Sequence, residues 1–300
     1  MPSLQRQPTF AHLVYIPFTG VGIGNAARQP RWFKERIEIF KKTALKSLLN
    51  QTNKNFIVWL SFDPKDKENN LCRELTDTLQ KENIIYFATF DGLMYWDDKF
   101  GGSPWLKIKN VFRIIRSCWR NNEWQRLFPS ISEIIKDRNQ SLKLRLEASL
   151  NFMKQYLEGA EWVYMTRLDS DDMLESRYIE TMQMLEPFAG TVVCKNGYIY
   201  NLSTKELALY EPDTNPPFHT VFFPWHVFVD PWLHAAYYKD FRSHEDIIRV
   251  FEHKILQDGM YCVTTHNPKN HISTIWNHPF KKQLVLDQEE KTGILKSFGL

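Results

Sequence analysis

Three carboxylates crowded behind one apolar segment are the feature that most constrains this chain. The β-prone run 162–168 leads directly into Asp169, Asp171 and Asp172. Like charges at this spacing repel one another, most strongly where a chain leaves a buried strand. A hard divalent cation offsets that repulsion, because Mg²⁺ and Mn²⁺ take oxygen ligands, commonly one or two carboxylates together with substrate phosphates. The cluster therefore indicates a divalent-cation site.

A helix cap is an alternative interpretation of the same stretch. Asp172 and Glu175 have the spacing of a capping box, in which the first side chain accepts from helix amides and the second reaches back. A cap accounts for one carboxylate and leaves the other two unexplained. A calcium loop of the EF-hand type is disfavoured, because its sixth position is Leu174 where that loop needs glycine.

The composition is that of a globular protein, and it does not indicate a nucleic-acid partner. The 300 residues are 43% hydrophobic and 24% charged, and they suit one large domain. A formal net charge of +3 with no dense basic run does not indicate nucleic-acid binding. The aromatic fraction of 14%, with ten Trp, is high and is compatible with a cleft that stacks sugars or bases.

The cysteines and the apolar segments favour a cytoplasmic location. Four cysteines stand far apart without a CxxC pair, which is typical of reduced structural thiols. The amino terminus lacks the apolar core of a signal peptide. The most apolar window, 218–229, is about half the roughly 20 residues that a spanning helix needs, so we expect no membrane span.

Strands and helices alternate in the first half of the chain. We expect strands near 12–16, 56–60, 84–90 and 162–168, with helices carrying apolar stripes between them. This order predicts a mainly parallel sheet flanked by helices, with ligands at the carboxyl ends of the strands. Asp63 and Asp91 follow the second and third predicted strands, so both are expected to line the same crevice as Asp169.

The remaining segments depart from strict alternation. Residues 92–140 are predicted to be an insertion with one helix near 108–119, and residues 196–210 a turn followed by a hairpin. We expect one domain over 1–300, with a donor-binding half at 10–195, an acceptor and catalytic half at 196–280 and a tail at 281–300. Trp225, His226 and Trp232 are candidates for acceptor contact, and core packing explains each of them equally well.

Two further clusters lie in the carboxy-terminal half. His244-Glu245-Asp246 precedes a helical pattern that continues through Ile255, so its acids would either cap that helix or face a cleft. His266 and His271 follow the predicted strand 261–265, and for each a structural role is as good an explanation as ligation.

Taken together, these residues resemble a nucleotide-sugar glycosyltransferase of the GT-A fold, and more narrowly the rhamnosyltransferase family. The resemblance covers residues 10–280 and is carried by Thr166 to Asp172, Phe62-Asp63, Asn196-Gly197-Tyr198 and His244-Glu245-Asp246. It implies transfer of a sugar, rhamnose by the family label, from a nucleoside-diphosphate sugar to a hydroxyl of a glycan or other acceptor. It also implies an inverting reaction.

The resemblance assigns roles to particular residues. Asp169 and Asp171 would hold Mn²⁺ or Mg²⁺ on the donor's phosphates, with His266 or His271 completing the shell. Asp63 would contact the nucleobase. Arg167 would pair either with phosphate or with a neighbouring carboxylate. Asp246, or else Glu245, would be the general base that deprotonates the acceptor hydroxyl.

Two other functions share parts of this pattern. A nucleotidyltransferase also uses paired carboxylates and a metal on an α/β sheet, but it usually carries a basic, glycine-rich phosphate loop, which residues 20–28 match poorly. A non-catalytic sugar- or nucleotide-binding module would keep the aromatic residues without needing both the acidic cluster and Asp246.

Overall fold

A computed structural model describes most of the chain. The described residues are 9–19, 30–62, 66–90, 149–154, 156–212, 218–237, 247–266 and 281–300, with isolated positions at 108, 111, 112, 115, 116, 119, 124, 127, 244 and 276. Within these ranges the side chains of 30–32, 232, 235, 236, 281 and 282 are outside the description. No helix among the described residues combines the length and the apolarity that crossing a membrane requires.

The described strands and helices follow one another along the whole chain. The strands are β1 (Phe10–Pro17), β2 (Ile57–Ser61), β3 (Tyr86–Thr89), β4 (Trp162–Arg167), β5 (Met173–Leu174), β6 (Gly190–Cys194), β7 (Gly197–Asn201), β8 (Leu207–Glu211), β9 (His219–Pro224), β10 (His253–Leu256), β11 (Tyr261–Thr265) and β12 (Lys281–Leu284). The helices are α1 (Pro30–Lys42), α2 (Ala44–Leu49), α3 (Asn70–Lys81), α4 (Tyr178–Met184), α5 (Trp225–Val229), α6 (Pro231–Tyr237), α7 (Ile247–Val250) and α8 (Gln288–Ser297).

Seven strands form the main sheet in the spatial order β10-β6-β9-β4-β1-β2-β3. β1 lies parallel to both β2 and β4, and β3 lies parallel to β2. β9 is antiparallel to its neighbours β4 and β6, while β10 is parallel to β6. The predicted α/β class, a mainly parallel sheet flanked by helices, is confirmed.

Apolar side chains cover both faces of this sheet. Successive strand residues point to opposite faces, so Val14 and Val58 pack with α1 to α4 in one cluster while Tyr15 and Trp59 lie in another. The second cluster also takes Leu150, from the helical residues before β4, and apolar residues of α5. Burial on both sides is why these strands read as nearly continuous apolar runs.

A second sheet of five strands has the order β12-β8-β7-β11-β5. The predicted hairpin is confirmed: β7 and β8 pair antiparallel, with Gly197 opposite Tyr210. β11 lies between β7, which is parallel to it, and the two-residue β5, which is antiparallel. Helix α8 and Phe298 pack against this sheet in a third apolar cluster. The sheet matters for the site because β5 and β11 flank the acidic stretch.

The predicted helix running from Ile247 through Ile255 is wrong. Helix α7 ends at Val250, and Ile255 belongs to β10, where it pairs with Val193 of β6. Apolar residues at helical spacing also fit an edge strand when a neighbouring strand offers hydrogen bonds, and here that pairing decided the local conformation.

Three of the four cysteines are described, and all three are buried free thiols: Cys72, Cys194 and Cys262. Burial raises the pKa of Cys72 and of Cys194 to about 12. Thiols with such pKa values are poor nucleophiles. The prediction that they are reduced structural residues is consistent with this placement, and Cys118 lies outside the described residues.

Gly197 is required where the hairpin meets β11. A Cβ placed on it would lie 2.6 Å from the carbonyl oxygen of Tyr261 and 2.7 Å from that residue's ring. Because backbone cannot yield easily, we expect Gly197→Ala to lower the free energy of unfolding by about 1–3 kcal/mol, measured by urea denaturation. Gly293→Ala in α8, where no heavy atom lies within 4 Å of the added carbon, is the control. It should leave stability unchanged or raise it by up to about 1 kcal/mol, and equal losses in the two variants would contradict the steric explanation.

Candidate functional site

The acidic cluster lies where the strand order of the main sheet reverses. From β1 the chain passes to β2 and β3 on one side and then returns to β4 on the other side of β1. The helices after β1 and β2 pack on one face, and the helical residues before β4 pack on the opposite face. In sheets of this kind ligands bind in a crevice outside the carboxyl ends of the strands at such a reversal, which here are the ends of β1 and β4. Asp169, Asp171 and Asp172 directly follow β4.

Asp171 is buried and held by an arginine from α1. Its side chain is 1% exposed, and Arg36 donates to it through both terminal nitrogens, Nη1 to Oδ2 at 2.5 Å and Nη2 to Oδ1 at 2.8 Å. The Nε of Arg36 donates to Ser170 Oγ at 2.7 Å. Two parallel charge-assisted bonds of this kind are the strongest and most directional pairing available to a carboxylate. The pair ties α1 to the loop after β4.

Thr264 of β11 and His266, the residue after Thr265 at the end of that strand, join the same pair. The Nε2 of His266 lies 3.0 Å from Asp171 Oδ2 and 3.3 Å from Arg36 Nη1, and Thr264 Oγ1 donates to the backbone carbonyl of Asp171. Burial alone would raise the pKa of Asp171, but the charge of Arg36 and the hydrogen bond with His266 outweigh burial and lower it. Asp171 is therefore a carboxylate in the folded protein.

Asp172 points away from this pair and is also buried. Its Oδ1 accepts from the backbone N–H of Thr264 at 3.0 Å. Burial raises the pKa of Asp172 well above its usual value, and the charges of Asp171 and Asp169 raise it further. Ionisation of Asp172 is therefore disfavoured relative to ionisation of Asp171, which has Arg36 as its counter-charge.

The capping-box interpretation of Asp172 is wrong. β5 intervenes between the acidic cluster and the next helix, and α4 begins only at Tyr178. Glu175 instead accepts from the backbone N–H of Arg177 at 2.7 Å. The pairing of β5 with β11, Met173 opposite Cys262, holds the chain extended where the local pattern allowed a helix.

Asp169 is the most exposed carboxylate of the cluster. Its side chain is 22% exposed, and Arg167 Nη2 donates to its two oxygens at 2.9 and 3.2 Å. Of the two roles considered for Arg167, pairing with a neighbouring carboxylate is the one observed. Asp169 therefore remains available to a ligand at the crevice while Asp171 is enclosed.

Several predicted site residues fall outside the described residues: Asp63, Asp91, Glu245, Asp246 and His271. Their roles stay predictions. The strands that Asp63 and Asp91 follow, β2 and β3, run parallel to β1, so both strands end at the same edge of the sheet as β1 and β4.

The predicted acceptor residues do not lie beside the acidic cluster. Trp225 and His226 begin α5, directly after β9, and the N–H of Trp225 donates to the carbonyl of Glu161 at 2.8 Å. Because β9 is antiparallel to β4, its last residue pairs with Trp162 at the amino end of β4. These two residues thus lie at the opposite edge of the sheet. The side chain of Trp232, in α6, lies outside the description.

Arg36 is the site residue that the sequence interpretation missed. Phe33, Ile37 and Phe40 form the buried stripe of α1, and Arg36 is three residues after the first and four before the last. A helical residue at those steps lies on the same face. A charged residue on the apolar face of an amphipathic helix requires a buried counter-charge. The position of Arg36 in this stripe was therefore the sequence signal that could have predicted its buried ion pair.

The donors present at the cluster do not fit a divalent cation. Both oxygens of Asp171 are already bonded to a guanidinium that stays charged at any ordinary pH. Asp169 is paired with Arg167, and the ring nitrogen of His266 faces Asp171 and Arg36. Within the described ranges no three His, Cys, Asp or Glu side chains converge as a metal-binding group. A cation would have to displace Arg36 to reach Asp171.

Comparison with known proteins gives little resemblance. No family model matches this chain, and no curated protein matches its sequence. Among solved structures, the crystal structure of S. aureus TarS residues 1–349 in complex with UDP is similar over 97% of this chain and 70% of that chain, with 12% sequence identity and a TM-score of 0.37. A similarity this low supports no conclusion about function.

Proposed function

We propose that this protein transfers a sugar from a nucleoside-diphosphate sugar to an acceptor hydroxyl. The observation that carries the proposal is the cluster of Asp169, Asp171, Arg36 and Arg167 at the reversal of strand order. Carboxylates accept hydrogen bonds from sugar and ribose hydroxyls, while guanidinium groups favour anionic phosphates. The motif resemblance seen in the sequence supports the same chemistry.

In the proposed reaction the acceptor oxygen attacks the anomeric carbon of the donor. The bond from that carbon to the diphosphate oxygen breaks with its electron pair, and the nucleoside diphosphate leaves. The proton of the acceptor hydroxyl moves to a carboxylate, which we assign to Asp246 or else Glu245 on the sequence resemblance. The attack comes from the face opposite the leaving group, so the configuration at the anomeric carbon inverts.

Within this proposal Asp169 contacts the donor directly, since it is the carboxylate that reaches the crevice. The net effect of the two arginines is to keep the crevice from repelling a diphosphate. Rhamnose as the transferred sugar is part of the proposal through the family resemblance, and the acceptor class is a hydroxyl compound such as a glycan.

Asp169→Asn tests the assignment. Losing one hydrogen bond to a charged acceptor is expected to lower kcat/KM by about 10- to 100-fold. The measurement is release of nucleoside diphosphate from a panel of nucleotide sugars, with rhamnose donors included, in the presence of glycan acceptors. Asp77→Asn, the same change at an exposed position of α3, is the control and should retain full activity.

The same panel separates the alternatives. Diphosphate release that is unchanged in Asp169→Asn would contradict the role given to this residue. Release of pyrophosphate from nucleoside triphosphates with sugar phosphates would identify a nucleotidyltransferase. Binding of nucleotide sugars without turnover by any acceptor would favour the non-catalytic binding module.

A further inference from the structure

Arg36 bonds both to the residues that follow β4 and to His266, the residue that follows β11. It comes from α1, more than 130 residues before the acidic cluster in the sequence, and contacts three groups there: Ser170, both oxygens of Asp171, and His266. Its side chain is 14% exposed and that of Asp171 is 1% exposed. An ion pair this enclosed, with additional hydrogen bonds to both partners, is a fixed part of the fold.

The charges of the cluster balance without a metal. Asp169 is matched by Arg167 and Asp171 by Arg36. The third acid, Asp172, is buried and accepts from the backbone N–H of Thr264. In sites that depend on a divalent cation, the metal lies between carboxylates and phosphates because both are anionic. Here Asp169 and Asp171 are each already paired with a guanidinium.

We propose that the Asp169-Ser170-Asp171 element of this chain does not bind a divalent cation, and that Arg36 neutralises Asp171, so that a diphosphate can bind beside this pair without metal. The inference rests on the proposed function for the identity of the ligand, a nucleoside diphosphate. It gives Asp171 a positioning role, which is to hold Arg36 at the crevice. Asp169 is then the carboxylate that meets the donor.

The first experiment needs only the wild-type protein. Mn²⁺ alone is titrated by electron paramagnetic resonance, and nucleoside diphosphates are titrated by calorimetry in EDTA and again in Mn²⁺. We expect no Mn²⁺ binding up to about 1 mM and the same diphosphate Kd, within about twofold, in both buffers. We expect this because both oxygens of Asp171 are already bonded to Arg36, and a metal ion would have to displace that buried guanidinium in order to bind.

The outcomes distinguish this inference from the proposed function. Diphosphate binding that requires Mn²⁺ would overturn the inference and leave glycosyl transfer standing. If no diphosphate binds in either buffer, the proposed function fails, and the Mn²⁺ titration alone decides the inference. Mn²⁺ binding by the free wild-type protein that Asp171→Asn abolishes would also overturn it.

A substitution adds a result that a merely structural role for Arg36 would not produce. Arg36→Gln frees the oxygens of Asp171 and should allow Mn²⁺ to bind at least about tenfold more tightly than it does to the wild type. In that variant we expect a higher Kd for the diphosphate in EDTA than in the wild type, and Mn²⁺ should partly restore the affinity. Lys41→Gln, which removes a positive charge from the same helix where Lys41 pairs with exposed Glu38 and Glu74, is the control and should change neither titration. If Arg36→Gln does not fold, the wild-type titrations still decide the inference.

Discussion

Asp171→Asn is expected to lower the free energy of unfolding by about 3–5 kcal/mol, because it leaves the guanidinium of Arg36 enclosed without its counter-charge. The side chain of Asp171 is only 1% exposed, so little water can reach the Arg36 guanidinium at this point to compensate for the lost charge. The same change also weakens the link between α1 and the loop after β4. Urea denaturation followed by tryptophan fluorescence measures the loss.

Asp169→Asn is the matched control for that prediction. It removes the same charge two residues away, but from a side chain that is 22% exposed, so the expected loss is at most about 1 kcal/mol. Equal losses in the two variants would contradict the distinction drawn between the two aspartates. A second check is the double variant Arg36→Met with Asp171→Asn, which should lose less than the sum of the single losses because neither change then leaves an unpaired charge.

Acidification is expected to destabilise the protein through His12. This residue is 2% exposed, with Nε2 2.8 Å from Thr166 Oγ1 and Nδ1 3.3 Å from Gln183 Nε2. Burial lowers the pKa of His12 to about 3. The unfolded chain therefore binds a proton below about pH 6.5 that the folded protein does not bind, and stability falls as the pH decreases from 6.5 towards 3.

The size of this effect follows from the width of that pH window. Between pH 6.5 and 4.5 one histidine that stays neutral in the fold costs about 2–3 kcal/mol of stability. His12→Gln removes the titrating group, so its loss of stability between pH 7 and 4.5 should be smaller than that of the wild type by this amount. His253→Gln, at an exposed position of β10, should behave like the wild type. An unchanged pH dependence in His12→Gln would show that His12 accepts a proton within the folded protein.

His12 is part of a buried chain of hydrogen bonds. Thr166, its partner on β4, is 2.6 Å from Thr220 Oγ1 of β9, and Tyr178 of α4 lies 3.2 Å from the same oxygen. This chain of hydrogen bonds crosses three neighbouring strands beneath the end of β4. A proton on His12 would place a charge inside this buried chain.

Much of the architecture was readable from local pattern. Continuous apolar runs predicted β1, β2 and β4, and the four-residue spacing of Leu71, Leu75 and Leu79 predicted α3. These signals are local because burial on one or both faces repeats with the period of the element itself. The position of Asp169 and Asp171 after a central strand followed from the same reasoning.

The contacts between residues far apart in the sequence could not be predicted from local patterns. Arg36 and Asp171 are 135 positions apart, and His266 and Asp171 are 95 apart, so no local period connects them. The strand order put α1 beside the end of β4 and the second sheet put β11 on its other side. Likewise, only the antiparallel direction of β9 placed Trp225 at the edge away from the cluster.

The sequence by itself thus determined most of the strands, the sheet class and the position of the acids after β4. Tertiary structure alone decided what each acid does there: Asp171 holds Arg36, Asp172 bonds to the backbone of Thr264, and Asp169 stays the most exposed of the three. The physical reason is that the charge state and partners of a carboxylate depend on burial and on neighbours brought together by strand order. Neither the burial of a carboxylate nor its distant neighbours can be deduced from the few residues beside it in the sequence.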